Sequence, residues 1–517
     1  MKLKKTVAIA AAASALAAVS VPAMAFENEF HGTSRLRYFL SNYENANKGG
    51  VLLPLTSGAI RGPNTSDTTE NLKMNNYFEQ RTRIFYTAKA SDDLKLVTGF
   101  EIDSVFGDKA QGATTAAGST VNGSTVVGTG RNQGGALESD TVNLETKWVY
   151  LDFKIPSTPV QVKAGIQPIK DQLKGVFFDA DIAGILTTSK IGAATVNAGY
   201  FRGYDQSFFG TNRPYGMDNL NLGLLEGKFA LSKDLNVGAV YYLYDDSRGS
   251  VTGVADANGT NTNLGNDFQV HVFGVNGDAK LGKLSLSGFA AYQYGIIKQS
   301  NANSAHLNAY AANVAAKAPI GPGTLRTALL VTSGNGQSDT PANGHLKGWV
   351  SIDQNQNNSW AGNASAVNTY NESGMLLLNR NAAASTGTTD TSIVYNTGNG
   401  TNPLNAQGVY LATVGYDLNI TPKFYTNFNA GAAWAAHTNS LKPVDKATTM
   451  QNATNYMATE INLETGYKMY DNLTASLQAA YVFLGGYYKN SSFYGTQASP
   501  KDPENPYTIR TSLIYNF

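Results

Sequence analysis

The sequence contains no cysteine among its 517 residues. A disulfide framework, a thiolate zinc site and a Cys-x-x-Cys-His haem attachment are therefore excluded. Charged residues make up only 15% of the chain, and no segment shows a convincing helical periodicity. After residue 25 no uncharged apolar run reaches the roughly 18 residues that a membrane-spanning helix needs. If the chain enters a membrane, we expect it to do so as strands.

Residues that favour strands and turns are abundant instead. The chain has 52 Gly, 28 Tyr and 22 Phe. Aromatic residues are enriched in strands, and glycine permits tight turns between them. This composition predicts an all-β protein with many strands joined by short turns.

The N-terminus has the organisation of a secretory signal peptide. Lys2, Lys4 and Lys5 precede an apolar run, which ends in the small-residue pattern Ala23-Met24-Ala25. We therefore predict a signal peptide at residues 1–25 and a mature chain at 26–517. Cleavage lowers the basic residues from 39 to 36, against 38 acidic ones. A charge this close to balance gives no indication of a nucleic-acid partner, and none is predicted.

The C-terminus alternates between apolar and polar residues. Tyr507, Ile509, Leu513, Tyr515 and Phe517 share one face, and Ile514 is the exception on the other face. A strand with hydrocarbon on one side and water on the other is stable only in a closed sheet, because an open edge in lipid leaves backbone groups unpaired. The segment resembles the last strand of bacterial outer-membrane barrels. That resemblance implies an assembly signal that includes Tyr515 and Phe517.

Alternating segments recur along the whole chain, and their connections are unequal. Short turn-like connections follow every second segment, and longer polar ones follow the others. This asymmetry is typical of transmembrane antiparallel β-barrels with both termini on the periplasmic side. We predict about 18 strands, with about 16 as the alternative if a weak segment near 160–190 belongs to a loop. A soluble β-solenoid or surface-layer protein is the competing interpretation.

Several arginines fall on the face that the alternation turns inward. They are Arg35, Arg37, Arg81, Arg83 and Arg510, the last brought beside the first strand by barrel closure. Guanidinium groups crowded on adjacent strands repel one another strongly unless water or carboxylates relieve them. Carboxylates that would serve are Glu101 and Asp103 on the next strand and Asp171, Asp179 and Asp181 in a following connection.

These features together resemble a Gram-negative general porin, over essentially the whole mature length. In that family the third external loop bends into the barrel and faces an arginine ladder, which produces a transverse field at a constriction. By position, residues 169–182 would be that loop here, although they lack the short acidic signature of the best-known enteric trimers. The resemblance implies a homotrimer in the outer-membrane lipid. The alternative is that the arginines form structural ion pairs with Glu79, Glu101 and Asp103.

Catalytic and metal-binding patterns are weak. The five histidines, His31, His271, His306, His345 and His437, show no i, i+4 pair, and no cysteine completes a site. We predict no enzyme, no metal and no cofactor.

A long connection at 334–404 is rich in Asn and Gly but carries Trp349, Trp360, Tyr370 and the apolar run 375–378. Loops this long are usually functional or disordered, and we expect the apolar cluster to fold over or into the mouth of the barrel.

Two functions are consistent with the sequence. The first is a porin, a water-filled channel for small hydrophilic solutes with a preference for anions. The second is a sheath that encloses a partner such as a multihaem cytochrome in an electron conduit. Conductance by the chain alone favours the first, and copurification of a coloured partner favours the second.

Overall fold

The computed structural model describes the greater part of the chain. The described residues are 27–42, 75–107, 120–121, 124–125, 144–205, 219–247, 254–255, 261–262, 266–299, 304–336, 338–339, 343–351, 370–379, 393, 408–437, 454–488 and 504–517. The predicted signal peptide at 1–25 and Trp360 lie outside them.

The described residues form one closed antiparallel barrel of 18 strands. The strands are β1 Glu27–Ser41, β2 Asn75–Ser91, β3 Leu94–Val105, β4 Glu145–Lys154, β5 Val160–Lys170, β6 Asp179–Ile191, β7 Ala194–Asp205, β8 Asn219–Ser232, β9 Leu235–Asp246, β10 Asn266–Leu281, β11 Leu284–Gln299, β12 Ala305–Ile320, β13 Gly323–Thr332, β14 Val409–Asn419, β15 Phe424–Ala435, β16 Tyr456–Tyr470, β17 Leu473–Leu484 and β18 Tyr507–Asn516. Neighbours in sequence pair with each other, and β18 pairs with β1. The predicted all-β barrel of 18 strands is confirmed, and the 16-strand alternative is wrong.

The closure of the barrel extends one residue beyond β18. Phe517 donates its N–H to the carbonyl of Gly32 at 3.1 Å and accepts the N–H of Gly32 at 2.8 Å. A Cβ at position 32 would lie 2.6 Å from Cζ of Phe517 and 2.3 Å from the carbonyl oxygen of Arg83. Glycine at this position therefore makes room for the terminal aromatic ring at the seam.

The two faces of the barrel wall differ in polarity as the alternation predicts. Outward side chains such as Phe273, Val414 and Ile461 are about half exposed, which gives an apolar outer band. Inward side chains include Glu79, Glu101 and Glu460, which are buried inside the barrel. Closed antiparallel barrels with an apolar band of this kind are proteins of the bacterial outer membrane. The fold therefore places this chain in the outer membrane, as predicted.

No helix in the described part of the chain is long and apolar enough to cross a membrane.

The connections are unequal at the two ends of the barrel. One end carries turns of a few residues, at 92–93, 155–159, 192–193, 233–234, 282–283, 321–322, 420–423 and 471–472. The other end carries the longer connections. At that end β6 begins at Asp179, inside the predicted loop 169–182, because Asp179 already pairs with Lys170 in the sheet register. The connection between β5 and β6 is thus residues 171–178, shorter than the predicted 169–182.

Apolar side chains from two connections are buried inside the barrel. One group comes from the β5–β6 connection and another from the connection after β13, and they pack against inward residues of the wall. Their members are Leu173, Val176, Phe177, Phe178, Trp349, Tyr370, Met375, Leu377 and Leu378. The lumen therefore contains folded segments of the chain itself.

Candidate functional site in the barrel lumen

The connection at 171–178 has a tight turn at its tip. Val176 donates its N–H to the carbonyl of Leu173 at 3.2 Å. Lys174 and Gly175 between them have φ values of 62° and 77°. Positive φ at both central residues is the geometry of a type I′ turn, which favours Asn-Gly. Lysine is unfavourable in this region by roughly 1–2 kcal/mol, so the chain keeps Lys174 here against a local backbone preference.

Asp171 organises the same connection from its base. Its carboxylate accepts the backbone N–H groups of Gly175 at 2.7 Å, Phe177 at 2.8 Å and Phe178 at 2.5 Å. Burial raises the pKa of Asp171 to about 7, while these backbone donors oppose that rise. The carboxylate thus holds its own loop together and does not face the arginines.

The connection is held against the wall by hydrogen bonds. Gln172 donates its backbone N–H to the hydroxyl of Tyr242 at 3.0 Å and its side-chain amide to Glu226 at 3.0 Å. The indole N–H of Trp349 donates to the carbonyl of Val176 at 3.2 Å. These contacts fix 171–178 across the interior of the barrel, on the side of β8 and β9.

A second inward segment, residues 370–379, is anchored by a carboxylate of the wall. Glu460 on β16 accepts the N–H groups of Leu376 at 2.8 Å, Leu377 at 3.0 Å and Leu378 at 2.6 Å. Asn462 on the same face donates to the carbonyl of Gly374 at 3.0 Å. The barrel wall therefore satisfies the backbone groups that this buried segment would otherwise leave unpaired.

An ion pair connects the two inward segments. Nζ of Lys174 lies 2.6 Å from Oε2 of Glu372 and 2.8 Å from Oγ of Ser287 on β11. The side chains of Lys174 and Glu372 are 18% and 24% exposed. Ser287 and Glu372 also line a recess of about 320 Å³. This part of the lumen combines a charged pair with solvent access.

The arginine wall faces inward on β1 and β2, and carboxylates accompany it. Arg81 forms a two-pronged ion pair with Asp103, at 2.7 and 2.8 Å, and lies 3.3 Å from Glu101. Arg83 pairs with Glu101, and Arg35 lies 3.7 Å from Glu79. The wall is therefore partly neutralised by the carboxylates that the structural-pairing alternative named.

Arg37 and Arg510 are more deeply buried than the other three. Arg37 is opposite Glu79 in the β1–β2 register. The guanidinium carbon of Arg510 lies 5.5 Å from the ring centroid of Phe39, and Nη2 donates to the carbonyl of Leu376 at 3.4 Å. Arg510 thus links the arginine wall to the segment 370–379.

The remaining acidic residues predicted to line the constriction have partners of their own. Asp179 is 2.9 Å from Nζ of Lys170. Asp181 accepts the indole N–H of Trp148 at 2.6 Å and pairs with Lys147. The structure thus gives Asp171, Asp179 and Asp181 three separate sets of contacts.

The predicted assembly residues are at the barrel seam. The rings of Tyr515 and Phe517 stack with their centroids 5.6 Å apart, and both side chains are on the outer face.

Sequence reasoning missed the residues that hold the inward segments. Gly175 is a residue type that favours a turn, since Gly permits positive φ, but nothing in the sequence marks Lys174 as a partner of Glu372. Glu460 lies in an ordinary alternating strand, and the three backbone N–H groups that it binds are far away in sequence. These roles depend on contacts that form only when the barrel closes.

The histidines do not assemble into a site. His31 stacks on Phe85, His271 contacts the hydroxyl of Tyr241 at 2.9 Å, and His345 lies 3.6 Å from Asp339. Within the described ranges, no group of three His, Asp or Glu side chains is arranged to hold a metal ion.

Fold and lumen define an outer-membrane β-barrel whose interior is narrowed by its own connections. The structure is similar to OpdK, an outer-membrane protein of Pseudomonas aeruginosa, with 10% identity, coverage of 95% of this chain and 98% of that one, and a TM-score of 0.48. It is also similar to OccAB4 of Acinetobacter baumannii, with 11% identity, 95% and 98% coverage, and a TM-score of 0.47. At these identities the likeness concerns the fold alone. No protein-family model and no curated protein matches the sequence.

Proposed function

We propose that this protein is a porin, a channel through which small hydrophilic solutes diffuse passively, with a preference for anions. The observation that carries the proposal is the pairing of a charged inner wall with inward segments in one closed barrel. Segments 171–178 and 370–379 narrow the lumen, the first held by β8 and the second by β16, and the arginine wall lies on β1, β2 and β18. Charges lining a wetted bore select the sign of permeant ions without full dehydration.

The sign of the preference follows from the charges of the wall. Five guanidinium groups, those of Arg35, Arg37, Arg81, Arg83 and Arg510, stand beside three carboxylates, those of Glu79, Glu101 and Asp103. In each of these ion pairs the arginine side chain is more exposed than its carboxylate, 28% against 10% for Arg83 and Glu101 and 11% against 1% for Arg35 and Glu79. The charge that solutes meet is therefore positive, and it attracts anions at low ionic strength.

The sheath alternative is disfavoured by what fills the barrel. An enclosed cytochrome would need the interior, but Leu173, Phe177 and Leu377 are fully buried there. Displacing these segments would expose their apolar side chains and unpair the N–H groups that Glu460 accepts.

Proteoliposome swelling tests the proposal. Purified protein, checked for folding by its heat-modifiable mobility, should admit an uncharged pentose faster than a trisaccharide. Liposomes that admit neither sugar would contradict the channel, and a coloured partner present in equal amount would restore the sheath. The homotrimer stays a prediction, and chemical cross-linking in the membrane would test it.

A further inference from the structure

Polar side chains interrupt the apolar outer band on one sector of the barrel. Ser34 on β1 and Gln80 and Thr82 on β2 alternate with the inward arginines, so they point outward, and Gln80 is exposed. On the opposite side of the barrel the outward residues of β10 include Phe273 and Val275, which are 51% and 58% exposed. The band is therefore not uniform, and Ser34, Gln80 and Thr82 form its polar sector.

The polar sector lies at the depth of the hydrocarbon. It is bounded by the ring pair Tyr38–Phe78 toward the long connections and by the pair Phe30–Tyr86 toward the short turns, each with centroids 4.7 Å apart. From Phe78 to Tyr86 the strand runs about 26 Å, or about 20 Å in height at the usual tilt, and the apolar band between the two aromatic girdles of such barrels is about 25 Å high. Lipid headgroups and water therefore do not reach Gln80.

The amide of Gln80 differs from the other outward polar groups because its own wall does not satisfy it. The outward threonines Thr187 and Thr327 each donate their hydroxyl group to a backbone carbonyl at 3.0 Å. Ser34 and Thr82 bind each other at 3.0 Å. Gln80 has no hydrogen-bond partner among the residues that the structure describes. An unpaired amide in hydrocarbon costs free energy, and polar side chains at this depth pair with another protein segment.

A second copy of the chain offers the matching chemistry. A glutamine amide both donates and accepts hydrogen bonds, so equivalent glutamines can pair with each other around a symmetry axis. The polar sector carries no charged side chain, so it fits an equally uncharged surface. A recess of about 430 Å³, lined by residues that include Leu36, Tyr38 and Leu513, adjoins it on the side of β18. This recess leaves space for an apolar side chain of the neighbouring copy beside the hydrogen bonds.

We propose that the outer face of β1 and β2 around Gln80 is the surface on which copies of this chain associate in the outer membrane, with the Gln80 amides hydrogen-bonded between them. The inference adds a contact surface and does not depend on conductance. Leu36 lies between Gln80 and Leu513 in the sheet register. Association at this face, in the predicted homotrimer or in another closed assembly, therefore covers the seam where β18 meets β1.

Cross-linking in intact membranes tests the surface, and the absence of cysteine from the chain makes it selective. Leu36→Cys puts a thiol beside Gln80, and Val275→Cys puts one near the middle of β10 on the opposite side of the barrel. A flexible bismaleimide should join two chains of Leu36→Cys and none of Val275→Cys. Equal cross-linking of both variants, or none of Leu36→Cys, overturns the inference. A Leu36→Cys product that contains a different protein also overturns it.

Gln80→Leu separates association from folding. Leucine suits lipid, so the variant should reach the membrane folded, as judged by its heat-modifiable mobility, but the oligomer extracted in mild detergent should fall at least severalfold. Gln80→Asn keeps a donor and an acceptor and should retain most of the oligomer. Gln269→Leu is the matched control, because Gln269 is an exposed outward glutamine on β10, and it should behave as the wild type.

Two results of this comparison overturn the inference. One is an oligomer that Gln80→Leu leaves unchanged, and the other is a folded wild type that is monomeric in mild detergent. Sugar entry into liposomes is the separate measure of the channel. A monomeric wild type that still admits the pentose overturns the contact surface and leaves the proposed function in place.

Discussion

Glu460 accepts the N–H of Leu377 at 3.0 Å, across 83 positions of sequence, and the same carboxylate also binds the N–H groups of Leu376 and Leu378. A single wall carboxylate therefore holds a loop inside the barrel. Glu460→Gln removes the charge and one of the acceptor oxygens, and hydrogen bonds to a charged group are worth about 1.5–3 kcal/mol each. We expect the segment 370–379 to loosen and single-channel conductance to rise.

Glu464→Gln is the matched control for that variant. Glu464 is on the same inward face of β16 but accepts from Tyr425 and Gln478, both wall residues. Conductance should stay at the wild-type level. Equal effects of the two substitutions would show that Glu460 acts through the wall and has no special role in holding the segment.

Asp171 predicts a dependence on pH. Its pKa is about 7 in the folded loop, against about 3.9 for an unperturbed Asp. Since the seated loop binds a proton that a displaced loop releases, the seated state is most stable below about pH 4 and loses stability as the pH rises through 7. Displacement of the loop 171–178 widens the lumen and should appear in single-channel records as a brief rise in conductance. These brief openings should become more frequent between pH 5 and pH 8.

Asp171→Asn should abolish that pH dependence. The amide does not titrate, and it offers one acceptor oxygen to the three N–H groups that Asp171 binds. Openings should therefore be frequent at every pH. A wild-type record whose opening frequency is the same at pH 5 and pH 8 would contradict the role of Asp171.

The arginine wall predicts ion selectivity. Replacing Arg35 and Arg83 together with Ser removes two guanidinium groups and leaves Glu79 and Glu101 without those partners. The reversal potential in a KCl gradient should shift toward cations, and the shift should shrink near 1 M salt, where the Debye length is about 3 Å. Arg202→Ser serves as the control, because Arg202 contacts Tyr200 on the outer face. An unchanged reversal potential in the folded double variant would leave these arginines as structural pairs.

The seam of the barrel predicts an assembly defect. Gly32→Ala puts a Cβ 2.6 Å from the ring of Phe517 and 2.3 Å from a backbone oxygen, so the terminal residue or the strand must shift, at a cost of about 1–3 kcal/mol. Less heat-modifiable protein should reach the membrane. Gly223→Ala, whose nearest contact would be 3.5 Å away, should assemble normally. Normal yields of both variants would show that the Phe517 ring needs no such space.

The strands of the barrel wall could be predicted from the sequence, but the segments that fold inside the barrel could not. Alternation in segments such as Leu473–Leu484 reflects lipid on one side and the lumen on the other, so it can be read residue by residue. The start of β6 was missed because Asp179 and Asp181 look like loop residues, although in the sheet register they pair with β5. The inward face of Arg81 and Arg83 was found in the same way, and so were their partners Glu101 and Asp103.

The inward segments could not be predicted because long-range contacts determine them. The N–H groups that Glu460 binds belong to the connection 334–404, where the sequence shows only an apolar run in polar surroundings. Asp171 was assigned to a transverse field on the basis of its charge, whereas the fold uses it to satisfy the backbone of its own loop. The local sequence pattern does not show whether a carboxylate is buried. It therefore cannot distinguish a carboxylate that faces solvent from one that binds a buried turn.

Single-channel recording of the purified wild-type protein in a KCl gradient is the decisive test of an anion-preferring channel. We expect discrete conductance steps and a reversal potential on the anion side at low salt, because the exposed guanidinium groups of the arginine wall are then poorly screened. A folded, membrane-inserted protein that shows no steps, or one with a reversal potential on the cation side, would contradict it.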